Sequence, residues 1–302
     1  MSAIWVDTDF GFDDLWALLL LKRQGVKIAG ISLVAGNASL KQIVANALGV
    51  VQAYGLDAPM YSGAAAPLKR KPETAENILG PRGMQSRGRH LPDVADAEIQ
   101  KDAVDALRTW LAEAPSGARR EVLAIGPLTN IAKLVQRAPV AAAKITRLVW
   151  MGGSNGPGNH TPLAEFNAVA DPEAAAIVAA AGLPLDVVDL ILCRKVSFGP
   201  SDLPPTDPLT ADLLGGYLDI ALRRGRDRMS IYDPVAALAA LEPEFFEFER
   251  CEMHVSVVSD ETYGATRFLP SPSGRTRLAV KVRPDAAQIC LNALAKDGIH
   301  GA

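Results

Sequence analysis

Residues 7–14 read Asp-Thr-Asp-Phe-Gly-Phe-Asp-Asp, which places four carboxylates within eight positions. The apolar run Ala3-Ile4-Trp5-Val6 precedes them, and residues 15–21, Leu-Trp-Ala-Leu-Leu-Leu-Leu, follow. That order predicts a buried strand, a tight turn and a buried helix. Like charges at a strand end repel one another and resist burial, so few folds can accommodate the octet unaided. A hard divalent cation such as Ca²⁺ or Mg²⁺, which prefers carboxylate oxygen, would neutralise it. Gly11 lets the backbone bend between the second and third carboxylates. Capping explains part of the pattern, since Asp13 or Asp14 suits the amino end of the following helix and Asp is common in turns. For all four together, capping is the weaker account.

Downstream, apolar runs of strand length alternate with longer helical patterns. Residues 27–34, 121–125, 145–150 and 183–188 read as strands, and 40–54, 129–137, 172–181, 209–224 and 235–241 as helices. Alternation of this kind predicts a single α/β domain, with an open, mainly parallel sheet flanked by helices and a Rossmann-like core. In such sheets ligands sit beyond the carboxyl ends of the strands. Polar motifs fall there repeatedly: the octet, Gly36-Asn37, a Gly-Pro-Leu-Thr-Asn segment at 126–130, and Met151-Gly152-Gly153. Residues 69–98, rich in Pro, Gly, Arg and His and without a clear period, predict a mobile lid within the domain.

The 302 residues are 49% hydrophobic and 22% charged, enough for a substantial core. A net charge of −3 gives no reason to expect a nucleic acid or an anionic membrane as partner. The run at 15–21 is too short to span a bilayer. Cys193, Cys251 and Cys290 are far apart and form no CxxC pair, which predicts neither a disulfide framework nor a zinc site and fits a reducing cytoplasm.

Two further groups carry chemistry. Asn159, Glu165 and Asn167 together can donate to and accept from sugar hydroxyls, or else belong to an Asn-rich surface loop. Asp233-Pro234 taken alone reads as a helix cap with Pro in the first turn, and Asp171 as a cap as well. His90 falls in the candidate lid and reads as a solvated loop residue unless it approaches a base, His160 follows Asn159 at the candidate site, and His254 and His300 read as structural or terminal. Trp5 and Trp150 read as core, and Arg82, Arg87 and Arg89 as a solvated basic loop unless the substrate carries a phosphate.

Taken together, the motifs resemble those of the nucleoside hydrolases. That family opens with Asp-x-Asp-Pro-Gly-x-Asp-Asp after its first strand, and here Phe10 stands where Pro is usual. Gly36-Asn37, the 126–130 segment, Met151 to Gly153, Asn159, Glu165-Phe166-Asn167 and Asp233-Pro234 follow in the family's order and spacing from residue 4 to about 240. The resemblance implies Ca²⁺-dependent hydrolysis of the N-glycosidic bond of ribonucleosides, giving free base and ribose. It implies Asp9, Asp14, Asp233 and the Ile125 carbonyl as metal ligands, with Asp9 as general base. It implies Asp13, Asn159, Glu165 and Asn167 as ribose ligands, assisted by Asn37 and the backbone near Met151, with Asp7 in a supporting role. It further implies a homodimer or homotetramer.

At the leaving-group end the chain departs from the family pattern. Many members carry a histidine just before the last aspartate and another in the loop after the third strand; Tyr232 and Leu79 stand there in this chain. Tyr232 is the candidate base-contacting residue, by stacking or by donating its phenol proton. Two alternatives remain open from sequence. A haloacid-dehalogenase-type Mg²⁺ phosphohydrolase would use Asp7 as nucleophile and Asp9 as acid/base, leaving Asp13-Asp14 and the Glu165 group unexplained. A non-catalytic nucleoside-binding protein would use the same cavity without turnover.

Overall fold

Ten strands form one continuous sheet in the computed structural model, which describes residues 3–94, 99–115, 117–258 and 260–296. In chain order the strands are β1 (Ile4–Thr8), β2 (Ile28–Leu33), β3 (Met60–Ser62), β4 (Gln100–Lys101), β5 (Glu121–Ala124), β6 (Arg147–Met151), β7 (Leu185–Val188), β8 (Ser197–Phe198), β9 (Met229–Ser230), β10 (Phe246–Val255), β11 (Thr266–Pro270) and β12 (Thr276–Val282). The sheet order is β11-β10-β12-β7-β6-β5-β1-β2-β3-β4, and β8 pairs with β9 in a separate small ribbon. Every pairing from β12 to β4 is parallel. Only the edge formed by β10 is antiparallel, to β12 on one side and β11 on the other.

The strand order reverses between β1 and β5, with β2, β3 and β4 running off one way and β6 and β7 the other. At such a switch point the loops beyond the two strands diverge and open a crevice, the usual ligand site of a doubly wound sheet. The octet leaves β1 at this point.

Alternation of side chains along the strands builds two cores. Val6, Leu123, Val149 and Met151 face one side and pack with the helices Phe12–Arg23 and Asp233–Leu241. Trp5, Val122, Leu148 and Trp150 face the other, under the helices Ala103–Ala112, Thr129–Arg137 and Pro172–Ala180. Trp5 and Trp150 are thus core residues, as expected. The helix Phe12–Arg23 buries residues on all sides, so it is an interior helix rather than an amphipathic surface one.

The expected central elements are present with boundaries shifted by a few residues. The β10–β12 edge was not anticipated: β10 intersperses charged, exposed residues among its buried ones instead of forming an apolar run, and β12 holds only three consecutive apolar residues, 278–280, between charged ones. Of the expected 69–98 lid, residues 95–98 lie outside the described residues, as does His300. The rest holds one short helix, Glu76–Leu79. Arg87 and Arg89 pin it to Asp219 and Asp212 of the helix Pro208–Leu222. A Cβ at Gly216 would meet the Gln85–Ser86 backbone at 2.5 Å, so the loop seats directly on the helix at a residue without a side chain.

Candidate active site

The octet folds into a knot of hydrogen bonds at the end of β1. Phe10 is buried with φ +44°, a conformation closed to the Pro that usually occupies this place, because Pro is held near −65°. Its N–H donates to the Thr8 hydroxyl oxygen at 3.1 Å, a bond that Pro could not make. Thr8 in turn donates to Asp14, and the Gly11 N–H donates to the same carboxylate at 2.7 Å. Asn37, from the loop after β2, donates through its side chain to Asp14 at 3.2 Å and through its backbone N–H to Asp9 at 2.8 Å. A Cβ at Gly36 would fall 2.1 Å from the Asp9 carboxylate, so glycine there is what admits that side chain.

Asp233 joins this group from the far end of the sequence, at the first turn of its helix. Carboxylate oxygens of Asp13, Asp14 and Asp233 lie within 4.8 Å of one another. Asp9 stands beside them, near enough for its charge to be felt by Asp233 and for the charges of Asp14 and Asp13 to be felt in return. Burial, then repulsion from these neighbours, holds Asp9 and Asp233 well above the ordinary carboxylate range. Burial and then Asp14 raise Asp13 to about 7, partly opposed by the Tyr217 hydroxyl. Asp14 is raised by burial despite the bonds from Thr8 and Gly11. Four such carboxylates cannot all ionise without a counter-charge. The donor set is all oxygen, which fits a hard divalent cation. Asp7 sits behind, fully buried, accepting from Ser32 and from Asn130 at 2.8 Å; its Oδ2 has no partner among the described residues. Its supporting role is therefore structural in the literal sense: it ties β1 to β2 and to the helix after β5.

One cavity gathers the other expected residues. Asp9, Asp13, Asn37, Ile125, Met151 and Asn159 line it. Glu165, Asn167, Tyr232 and Asp233 line it too, with Asp14 packed beneath. Glu165 caps the helix Phe166–Ala170, accepting from Asn167 and Ala168 N–H groups and from Gly153 at 2.8 Å. Burial nonetheless raises it to about 7. The Asn167 side chain donates to the Met151 carbonyl at 3.0 Å and reaches the Ile125 carbonyl at 3.5 Å. Asn159 spends its oxygen on the Phe166 N–H, while its Nδ2 has no partner among the described residues. Tyr232 is half-buried, and burial raises its phenol above the ordinary value.

Other residues at the site were not singled out from sequence. Tyr217 donates its hydroxyl to Asp13 at 3.0 Å. A phenol amid buried leucines on the helix Pro208–Leu222 is the signal that could have found it. Ile78 and Leu79 line the cavity, so the loop position that carries histidine in many relatives does face the site, but as an apolar wall. His160 lines the cavity as expected and pairs with Glu73 at 2.7 Å. Arg82, Arg87 and Arg89 pair with Asp93, Asp219 and Asp212, so they are committed to holding the loop. Asp171 caps its helix, as expected.

Residues 4–294 match the sequence profile of the inosine-uridine preferring nucleoside hydrolases. The chain belongs to the nucleoside hydrolase family. Non-specific ribonucleoside hydrolase RihC of Salmonella enteritidis is 36% identical over 270 residues, covering 87% of this chain and 86% of the relative. RihC of Salmonella typhimurium gives the same identity and coverage. Among solved structures, the plant nucleoside hydrolase PpNRh1 superposes with a TM-score of 0.85 at 25% identity, covering 97% of this chain and 99% of that one. The purine-preferring ribonucleoside hydrolase from Gardnerella vaginalis gives 0.87 at 23% identity, with 97% and 98% covered, a likeness of fold. Membership sets aside the phosphohydrolase alternative. No helix among the described residues is long and apolar enough to cross a membrane. All three cysteines are buried free thiols.

Proposed function

We propose that this nucleoside hydrolase cleaves the N-glycosidic bond of ribonucleosides in a Ca²⁺-dependent reaction that releases free base and ribose. The observation that carries the reading is the convergence of Asp9, Asp13, Asp14 and Asp233 at the β1 end of a cavity also lined by Asn37, Asn159, Glu165 and Asn167. The relatives' name, non-specific ribonucleoside hydrolase, supports a broad range of bases.

Asp9, Asp14, Asp233 and the Ile125 carbonyl are the proposed ligands. When bound, the ion supplies positive charge that eases deprotonation of the attacking water and orients the vicinal hydroxyls of the sugar. Asp9 takes the proton from that water, as the family resemblance implies. Asp13, Asn159 and Asn167 hold the ribose. Glycosidic cleavage builds positive charge on the ring oxygen and anomeric carbon, which the buried Glu165 carboxylate stabilises. Tyr232 contacts the base, and Ile78 and Leu79 of the expected lid border the same cavity. The family resemblance supports a homodimer or homotetramer, and the buried thiols suit a reducing cytoplasm.

Release of base and reducing sugar from inosine and uridine tests the reading. EDTA should suppress it and Ca²⁺ restore it. Asp9→Ala should abolish turnover with an unchanged circular dichroism spectrum; an active Asp9→Ala protein would overturn the assignment. Tight nucleoside binding without hydrolysis would instead favour the non-catalytic alternative.

A further inference from the structure

The cavity lining includes two exposed arginines, a chemistry that a neutral nucleoside does not use. Asp13 lines the cavity as well, and Tyr217 reaches it from the helix Pro208–Leu222. Ile220 follows three positions on along that helix, and Arg224 stands two residues past its end at Leu222; both line the cavity. An apolar belt of Ile78, Leu79, Ile220 and Met229 lies in the same wall.

Arg224 and Arg226 complete the lining. Gly225, between them, has φ +70° and turns the chain so that both neighbours border the cavity. Both arginines are exposed, and neither guanidinium has a carboxylate or carbonyl partner among the described residues. That separates them from the arginines around them. Arg194, also in the lining, donates to the Pro157 and Gly158 carbonyls at 3.0 and 2.8 Å. Arg228 pairs with Asp202 at 2.7 Å, and Arg87 with Asp219. Arg226 is close enough to Tyr232 for its charge to act on the phenol, which places it at the base-contacting end.

The lining therefore combines carboxylates, an apolar group and two cations without partners among the described residues. A matching ligand has a diol, a flat apolar part and a negatively charged edge. We infer that Arg224 and Arg226 select ribonucleosides whose base is anionic, carrying a carboxylate or an acidic oxo group ionised at neutral pH. The inference rests on the glycosidase reading of the same cavity. Guanidinium groups suit such an edge because they stay charged and present a planar fork of donors. The same charges would also stabilise the base as it departs with the bonding electron pair.

Two matched pairs test this: 5-carboxyuridine against uridine, and xanthosine, ionised at neutral pH, against inosine. The readout is the ratio of kcat/KM, anionic over neutral, at low ionic strength. The ratio should be about tenfold or more in the wild type, as expected of one charge-assisted hydrogen bond of about 1.4 kcal/mol. It should collapse toward one in R224Q/R226Q, persist in R224K/R226K, and shrink at high salt. A ratio at or below one in the wild type, or a preference untouched by R224Q/R226Q, overturns the inference while leaving the glycosidase reading intact. If no nucleoside is cleaved, that reading fails on its own. Calorimetry of the Ca²⁺-loaded protein with the same four nucleosides then decides: tighter binding of the anionic members, lost in R224Q/R226Q, supports the inference, and equal affinities overturn it.

Discussion

Asp13→Asn in metal-free protein tests the idea that the acidic cluster is built for a cation rather than for stability. Asp13 is raised from 3.8 to about 7, chiefly by burial and then by the Asp14 charge. A carboxyl whose folded pKa lies above its unfolded value stabilises the fold fully below the unfolded pKa. That contribution is lost as pH rises through the folded pKa, because the folded state must then hold a charge it disfavours. For Asp13 the window runs from about pH 4 to about pH 7 and somewhat beyond. A rise of about three units at 1.36 kcal/mol each sets a ceiling of about 4 kcal/mol. Screening at the cavity wall, where Asp13 is partly exposed, reduces this to about 2 kcal/mol. Asparagine keeps an acceptor for Tyr217 and removes the charge. In EDTA at pH 8, Asp13→Asn should therefore unfold about 4 to 8 °C higher than wild type, at about 2–4 °C per kcal/mol. At pH 5 the gap should narrow to about a third of that, because the window opens near pH 4. With Ca²⁺ the wild type should recover and the variant gain less. Thermal denaturation followed by circular dichroism at both pH values, with and without Ca²⁺, reads all four conditions. A variant less stable than wild type at pH 8 in EDTA would refute the reasoning.

Three other outcomes follow from single contacts. Tyr217→Phe removes the hydrogen bond to Asp13, a bond to a charged group worth about 1.5–3 kcal/mol, so kcat/KM for inosine should fall about tenfold to a hundredfold with little change in melting temperature; unchanged kinetics would make Tyr217 a bystander. Asp186→Ala strands the buried Arg147, which bonds to Asp186 at 2.7 Å, and should cost about 3–5 kcal/mol in urea denaturation, although Asp186 does not line the cavity; a loss below about 1 kcal/mol would show the pair to be dispensable. Tyr232→Phe should retain most activity and Tyr232→Ala should raise KM, if the ring packs on the base; a dead Tyr232→Phe enzyme would point to proton donation instead.

What could be read from the sequence was whatever announces itself locally. The octet, the apolar runs of β1, β2 and β5, and the polar motifs behind them gave the α/β class and the strand ends that bear the site. Strands such as β10, whose buried residues are interspersed with charged, exposed ones, hide from a search for apolar runs. The departure at Phe10 was visible, but its positive φ was not, because that conformation is set by the Thr8 and Asn46 bonds around it. Tyr217 was missed because its partner, Asp13, lies 204 residues away. In the 69–98 stretch the sequence offers only composition, and the pairing of Arg87 and Arg89 with carboxylates on a distant helix could not be read from it.

That helix, Pro208–Leu222, does more than flank the sheet. It carries the phenol that touches the sugar end, the bare backbone on which the covering loop rests, and the last turn before the two mouth arginines. Floor, roof and doorway are mounted on a single rod. A shift of the rod would move all three in step against Asp9 and Ile125, which follow strands of the sheet and line the same cavity. Remodelling one of these walls without disturbing the others would call for side-chain changes along the rod, not a longer or looser loop.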